Sequence, residues 1–251
     1  TVMRNQRRKL YPDLFESFRN YLDITKDNNT LLYCHTSYPD NNGWDLPYYL
    51  KKYKLGNKVL FTYVCEKCRY VYPSFFSDTI TICSRCGSIS STLAAVQNGP
   101  DSKVMNLIFN LFDLYIQYSN CEGFGIPLVE AAACGVPVMA TNYSAMEDIL
   151  VKLDGIPVDV LTKITELETG CLRAVPDNND CTQKLINFFS LSEDERLKIG
   201  QKTKKLQTRN YNPEDSIKVW EKAIEHVNSQ DLWDSQPNIH NIPNQMRDDN
   251  V

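Results

Sequence analysis

Apolar positions along the chain switch between two periods. Short runs rich in β-branched and aromatic residues read as strands: Thr1-Val2-Met3, then 30–35 (TLLYCH), 58–63 (KVLFTY), 113–119 (DLYIQYS) and 136–141 (VPVMAT). Two more are expected near 156–161 and 171–175. Between the strands the period is helical. Leu14, Phe15, Phe18 and Leu22 share one face of a helix within 10–22, and further helices are expected at 46–55, 103–112, 127–134, 144–150 and 179–189. Gly135 closes the helix at 127–134. Ser192 and Glu195 form a capping box for the next helix, and Asn212-Pro213 is an N-cap with proline at the first helical position. Ile217, Trp220, Ile224 and Val227 stripe that last helix.

Strand–helix alternation at this spacing predicts an α/β fold: a single Rossmann-like, doubly wound parallel sheet with helices on both faces. The rhythm breaks once, at 64–97. The expected organisation is therefore one domain built from 1–63 and 98–227, a small insertion at 64–97, and a polar, flexible tail at 228–251. The sheet pattern starts at residue 1, with no room before it for the rest of a first strand.

Charge and composition narrow the function. Of 251 residues 42% are hydrophobic and 23% charged, and the net charge of -4 gives no global basic field for nucleic acid. The apolar runs all fall short of the roughly 18 residues a membrane span needs. The opening TVMRNQRRKLYPD has basic residues but no apolar stretch behind them, so a signal peptide is not expected. Nine cysteines, an odd total, argue for reduced thiols and a metal, and hence for the cytoplasm. His35, His226 and His240 have no motif around them.

The interruption reads CEKCRYVYPSFFSDTITICSRCGS. Cys65 and Cys68 form one Cys-x-x-Cys pair, Cys83 and Cys86 another, with fourteen residues between. Two such hairpin tips converge to offer four thiolates in a tetrahedron, as in structural zinc sites. Gly87 suits a tip where amides turn toward sulfur. A rubredoxin-like iron site uses similar spacing, so iron is an alternative metal. Redox chemistry wants its Cys-x-x-Cys at a helix start, which neither pair has. Four cysteines leave no open coordination position, so no metal catalysis is expected there. Lys67, Arg69 and Arg85 are too few for nucleic acid, and the expected role is a stabilising zinc ribbon.

Residues 121–138 read CEGFGIPLVEAAACGVPV. Gly123 and Gly125 let backbone approach a ligand at the start of a helix, whose free N–H groups favour an anion such as phosphate. Two carboxylates flank that site, Glu122 and Glu130. Carboxylates accept hydrogen bonds, so their sensible partners are sugar hydroxyls on either side of a phosphate. For Glu130 the macrodipole alone is an equally good reason for an acid in the helix's first turns.

The stretch EGFGIPLVEAAACGVPVMAT resembles the Glu-x7-Glu signature of retaining, two-Rossmann-domain (GT-B) glycosyltransferases, the large family that includes sucrose synthases and many bacterial mannosyl- and glucosyltransferases. The basic turn at 4–9, YPDLFESF, KVLFT and DLYIQYSN agree in order, so the resemblance covers 1–227 apart from the cysteine insertion. It implies the carboxy-terminal, donor-binding half of a GT-B fold, with a nucleoside diphosphate sugar as substrate. By carry-over, Glu122, Gly123, Phe124, Gly125 and Ile126 would line the sugar and phosphate site, and Glu130 would take the ribose diol. Arg4 and Lys9 would face the pyrophosphate, with Arg8 a substitute for Arg4. Asn142-Tyr143-Ser144 departs from the small residues the family often has after its strand.

The resemblance further implies front-face attack by the acceptor, with retention at the anomeric carbon and no catalytic divalent metal. Arg4, Lys9 and the helix start at Pro127 would stabilise the leaving diphosphate, while Glu122 orients the sugar. An amino-terminal acceptor-binding domain, or a separate subunit supplying it, would complete the cleft. Membrane association is usually read from that other half and has no signal here. The alternative is a non-catalytic nucleotide-sugar-binding or protein-interaction module that works through its zinc ribbon.

Overall fold

The computed structural model describes residues 1–77 and 79–228, so the expected tail lies, from 229 onward, outside the described residues. The chain divides into two compact units, Thr1–Asn210 and a second that begins at Tyr211.

The first unit is built on parallel strands. Helix α1 (Tyr11–Thr25) carries Pro12 in its first turn, buries Tyr11, Leu14, Phe15, Phe18, Tyr21 and Leu22, and stops where Lys26 turns left-handed. Strand β1 (Leu32–Cys34) follows, then α2 (Leu46–Lys52), which Asp45 caps by accepting the Tyr48 amide. Strand β2 (Val59–Cys65) pairs in parallel with β1, Leu32 opposite Val59. On the other edge of β1, His35 N donates to the Thr1 carbonyl (2.9 Å) and Met3 N to the His35 carbonyl (3.2 Å). Thr1-Val2-Met3, expected as the end of a strand, lies beside β1 only as an isolated parallel bridge between Val2 and His35.

The region of the insertion is not a detached lobe. β2 runs through to Cys65 and pairs antiparallel with β3 (Val71–Phe75) and, at its far end, with β5 (Ile89–Leu93). The two-residue β4 (Thr81–Ile82) closes on β5. The ribbon is therefore an extension of the parallel strand's own edges, and the sheet there is mixed.

After α3 (Ser102–Phe109) comes a three-stranded parallel ladder: β6 (Tyr115–Gln117), β7 (Val138–Thr141) and β8 (Ile156–Val158). Helix α4 (Ile126–Ala133) joins β6 to β7, and α5 (Ala145–Leu153) joins β7 to β8. The strand expected at 156–161 breaks at Asp159, whose amide donates to the Asp180 carboxylate (2.8 Å) and whose carbonyl accepts from Asp177 N (2.8 Å). The chain then leaves the ladder as β9 (Val160–Thr165), paired antiparallel with β10 (Leu172–Pro176).

Helix α6 (Asn178–Ser190) is capped by Asp177, and α7 (Glu193–Asn210) opens on the expected Ser192–Glu195 capping box. One apolar core joins Phe15, Phe18 and Leu22 of α1 to Val59 and Phe61 of β2, Met139 of β7, and Cys181 and Leu185 of α6. In the second unit, α8 (Pro213–Asn228) starts at Pro213 with Asn212 accepting from Glu214 N (3.1 Å). Among the described residues, no helix is long and apolar enough to cross a membrane.

Candidate functional site

The basic turn is folded against the end of β6. Leu10 N donates to the Tyr118 carbonyl (2.9 Å), and Asn120 N to the Arg8 carbonyl (2.9 Å). This brings both Lys9 and Arg8 onto Glu122. The Glu122 Oε1 accepts from Lys9 Nζ, Gln117 Nε2 (2.8 Å) and Ser119 Oγ (2.8 Å), and Oε2 accepts from Arg8 Nη1 (2.7 Å). The side chains of Lys9 and Glu122 are each 7% exposed, whereas Arg8 keeps 41% of its surface in water. Burial alone would raise the Glu122 carboxyl, but Lys9, Arg8 and Ser119 together hold it below the usual carboxylate range. Burial pulls the Lys9 ammonium below its ordinary value, with Glu122 opposing the shift.

Two features of this arrangement escape the sequence reading. The first is a polar row along β6 and the residues that follow it. Tyr115 Oη donates to Gln117 Oε1, and Gln117 with Ser119 donates to Glu122, so alternate residues form one chain of bonds. The strict alternation Tyr-x-Gln-x-Ser was the available signal, masked by the apolar residues between. The second is the clamp on the basic turn. Asn5 is buried and exchanges bonds with Trp44 (Nδ2 to the Trp44 carbonyl 2.9 Å, Trp44 N to Oδ1 3.0 Å), while Trp44 Nε1 donates to the Lys9 carbonyl (2.7 Å).

Beyond Glu122 the backbone opens. Gly123 and Phe124 are exposed, and a Cβ at Gly123 would meet nothing within 4 Å. Gly125 caps α4 in the left-handed region (φ 97), a conformation that suits glycine, and Ile126 and Pro127 begin the helix. Glu122 N is held by Ser144 Oγ (3.0 Å), so Ser144, one of the departures from the family pattern, braces the turn. Glu130 lies one turn into α4, exposed, its carboxylate without a hydrogen bond or ion pair among the described residues. Partial burial raises its carboxyl above the usual range.

Arg4 stands apart from the Glu122 cluster. Its Nε pairs with Asp40 (3.0 Å), and it lines a cavity of about 420 Å³ together with Ser37, Val96, Pro100 and Pro127. The cavity thus touches both the basic turn and the start of α4.

The four cysteines converge. The Sγ atoms of Cys65, Cys68, Cys83 and Cys86 all lie within 4.8 Å of one another, with Cys65–Cys86 and Cys68–Cys83 at 3.7 Å. The two tips are built alike: Arg69 N donates to the Cys65 carbonyl (2.8 Å), as Gly87 N does to Cys83 (2.9 Å). Both closing residues are left-handed, Gly87 at φ 71 and Arg69 at φ 57, so the first tip places an arginine where the second has its glycine. Ser90 Oγ lies 3.2 Å from Cys65 Sγ and pulls that thiol down to about 5. A tetrahedron with metal–sulfur bonds of about 2.3 Å has edges of about 3.8 Å, so the cluster fits a four-thiolate metal.

A parallel-strand α/β unit with a glycine-capped helix start, a buried acid–base cluster and an adjoining cavity is an arrangement that could take a phosphate-bearing ligand. Residues 89–206 match the family model described as glycosyl transferases group 1. The C-terminal domain of a glycosyl transferase group 1 family protein (LpcC) from Francisella tularensis shares 19% identity over 84% of this chain and 85% of its own, with a TM-score of 0.53. Sucrose-phosphate synthase from Thermosynechococcus elongatus shares 13% (91% of this chain, 46% of its own, TM-score 0.59). Anabaena HepE, in complex with UDP and glucose, shares 13% (91% and 48%, TM-score 0.55). The chain spans less than half of these last two. No curated protein matches it. Residues 89–206 thus resemble glycosyl transferases group 1, and the fold is shared with the C-terminal domain of one such protein.

Proposed function

We propose that this chain is the donor-binding half of a retaining glycosyltransferase, moving a sugar from a nucleoside diphosphate sugar to an acceptor. One observation carries the reading: Arg8 and Lys9 converge on Glu122 beside the N-terminus of α4, with the Glu130 carboxylate one turn further on. The diphosphate would sit at the amides of 123–126, where the helix start and Arg8 stabilise the charge that develops on the leaving group. Glu130 would accept the ribose hydroxyls. Glu122 would orient Lys9 and Arg8, and would exchange one of its four bonds for a sugar hydroxyl. Arg4 would reach the diphosphate from the cavity it lines. Attack by the acceptor on the donor's own face, helped by the departing phosphate, gives retention with no catalytic divalent metal.

The four-cysteine site would hold structural zinc, since a closed tetrahedral thiolate set suits it, with iron as the alternative. The cleft would be completed by an amino-terminal acceptor domain or a separate subunit, in a reducing compartment such as the cytoplasm. Calorimetric titration with UDP, GDP and ADP, each with and without sugar, tests the reading. One base should bind and the others bind more weakly; binding by none of them would refute it. Transfer with a supplied amino-terminal partner, followed by the product's anomeric coupling, tests retention. Because Glu122 is already engaged by four donors, a non-catalytic nucleotide-sugar-binding module is a second reading. Binding without transfer under every pairing would favour it.

A further inference from the structure

We infer that the four-cysteine centre holds one wall of the donor's nucleoside cavity, so that metal and nucleotide bind cooperatively. This rests on the donor-site reading above. The cavity of about 420 Å³ has the scale of a small-ligand pocket and adjoins the diphosphate site through Arg4 and Pro127. It is therefore where the nucleoside end of the donor belongs. One of its walls is the segment 94–100, contributed by Ala94, Ala95, Val96, Gly99 and Pro100.

That segment leaves β5 directly, and β5 is tied to β2 through the metal tips. The ladder runs Tyr63 opposite Leu93, Val64 opposite Thr92 and Cys65 opposite Ser91, so its last rung contains a metal ligand. Glu66 N, inside the first tip, donates to the Ser90 carbonyl (2.8 Å). Asn98 then staples the wall. Its Oδ1 accepts from Ala95 N (2.7 Å) and its Nδ2 donates to Thr92 Oγ1 (3.1 Å). Its carbonyl accepts from Arg69 Nη2 (3.5 Å), and Arg69 is the left-handed residue that closes the first tip. Metal–sulfur bonds lock the two tips together. Without them the last β2–β5 rung, the Arg69 contact and the staple lose a common anchor. At the cavity itself Val96 stands 86% exposed, an aliphatic surface that a planar base would bury.

The test uses the full chain, loaded with metal or stripped by chelator, with metal content measured. The panel of UDP, GDP and ADP is titrated alongside inorganic pyrophosphate, which needs only the anion site. Stripping should weaken the best nucleotide about fivefold or more, with pyrophosphate unchanged, and the nucleotide should slow metal loss by the same factor. Equal nucleotide affinity with and without metal overturns the inference. Where stripping unfolds the chain, Asn98→Ala and Val96→Ser decide it in the loaded protein. Both should lose nucleotide affinity while keeping metal stoichiometry and pyrophosphate affinity; unchanged nucleotide affinity in both overturns it. If the loaded wild type binds no nucleotide, the donor-site reading itself fails, an outcome seen before any metal is removed.

Discussion

Glu122 and Lys9, 113 residues apart, form a nearly buried ion pair at the centre of the site. Glu122 is the acid that compensates the buried Lys9 charge, so removing it strands Lys9. Glu122→Ala is expected to lower unfolding free energy by about 3–5 kcal/mol, measured by urea denaturation at neutral pH. The pair also sets acid stability. The Glu122 carboxyl lies below its unfolded value of 4.5, so its contribution is complete above pH 4.5 and is lost as pH falls through the lower folded value. Glu122→Gln should flatten the pH dependence of stability in that acid window. An unchanged profile would mean that another group carries it.

Glu130 should behave in the opposite way. Its carboxylate has no partner within the described residues, and burial raises its pKa, so its charge is a small cost that grows as pH rises above 4.5. Glu130→Gln is expected to leave stability equal or slightly higher at neutral pH. Glu130→Ala should weaken the bound nucleoside diphosphate by about 1–3 kcal/mol, read by calorimetry. A loss of stability with no loss of affinity would make Glu130 a structural acid.

The clamp on the basic turn can be broken from the other side. A Cβ at Gly43 would lie 2.6 Å from Asn5 Nδ2 and 2.7 Å from the Asn5 carbonyl, and the second contact is backbone that cannot swing away. Gly43→Ala should therefore cost about 1–3 kcal/mol by overpacking. It should also weaken pyrophosphate, because the turn bearing Arg8 and Lys9 shifts with Asn5. Full pyrophosphate affinity in a destabilised variant would show that the clamp serves folding alone.

Local signals account for most of what was legible. Prolines in the first turns of α1, α2, α4 and α8, the Ser192–Glu195 box and Gly135 all mark helix ends by chemistry that acts within a few residues. The Cys-x-x-Cys pairs announced their own convergence for the same reason. What was hidden depends on distant chain. The strand break at Asp159 is fixed by bonds to Asp177 and Asp180, and the β9–β10 hairpin is anchored by Ala174 N on the Asn120 carbonyl (3.0 Å). Arg69 occupies a glycine-like conformation that nothing in its neighbours betrays. At the site, Lys9 and Arg8 were legible as cations of one basic turn. Their direct grip on Glu122 was not, because it requires the turn at 4–9 to lie along β6.

The support beneath α4 gives the sharpest stability test. Gly200 of α7 meets Gly135, the residue that ends α4, so closely that a Cβ on Gly200 would clash with the Gly135 carbonyl oxygen. Both backbones are fixed: Gly135 is left-handed at φ 82 and bonded to Ala132, and Gly200 is buried within a helix. Gly200→Ala would gain helix propensity worth about 1 kcal/mol, yet it must push α7 off α4. Overpacking of this severity typically costs about 1–3 kcal/mol and occasionally more, so net destabilisation is expected despite the better helix former. Gly56→Ala is the matched control, since its Cβ would meet nothing within 4 Å and its φ is not left-handed. That variant should be neutral or slightly stabilised in the same thermal melts. If Gly200→Ala melts with Gly56→Ala, the α4–α7 contact is looser than this geometry. If instead it melts early and also loses nucleotide affinity, α7 is what holds the start of α4 in place for its anion.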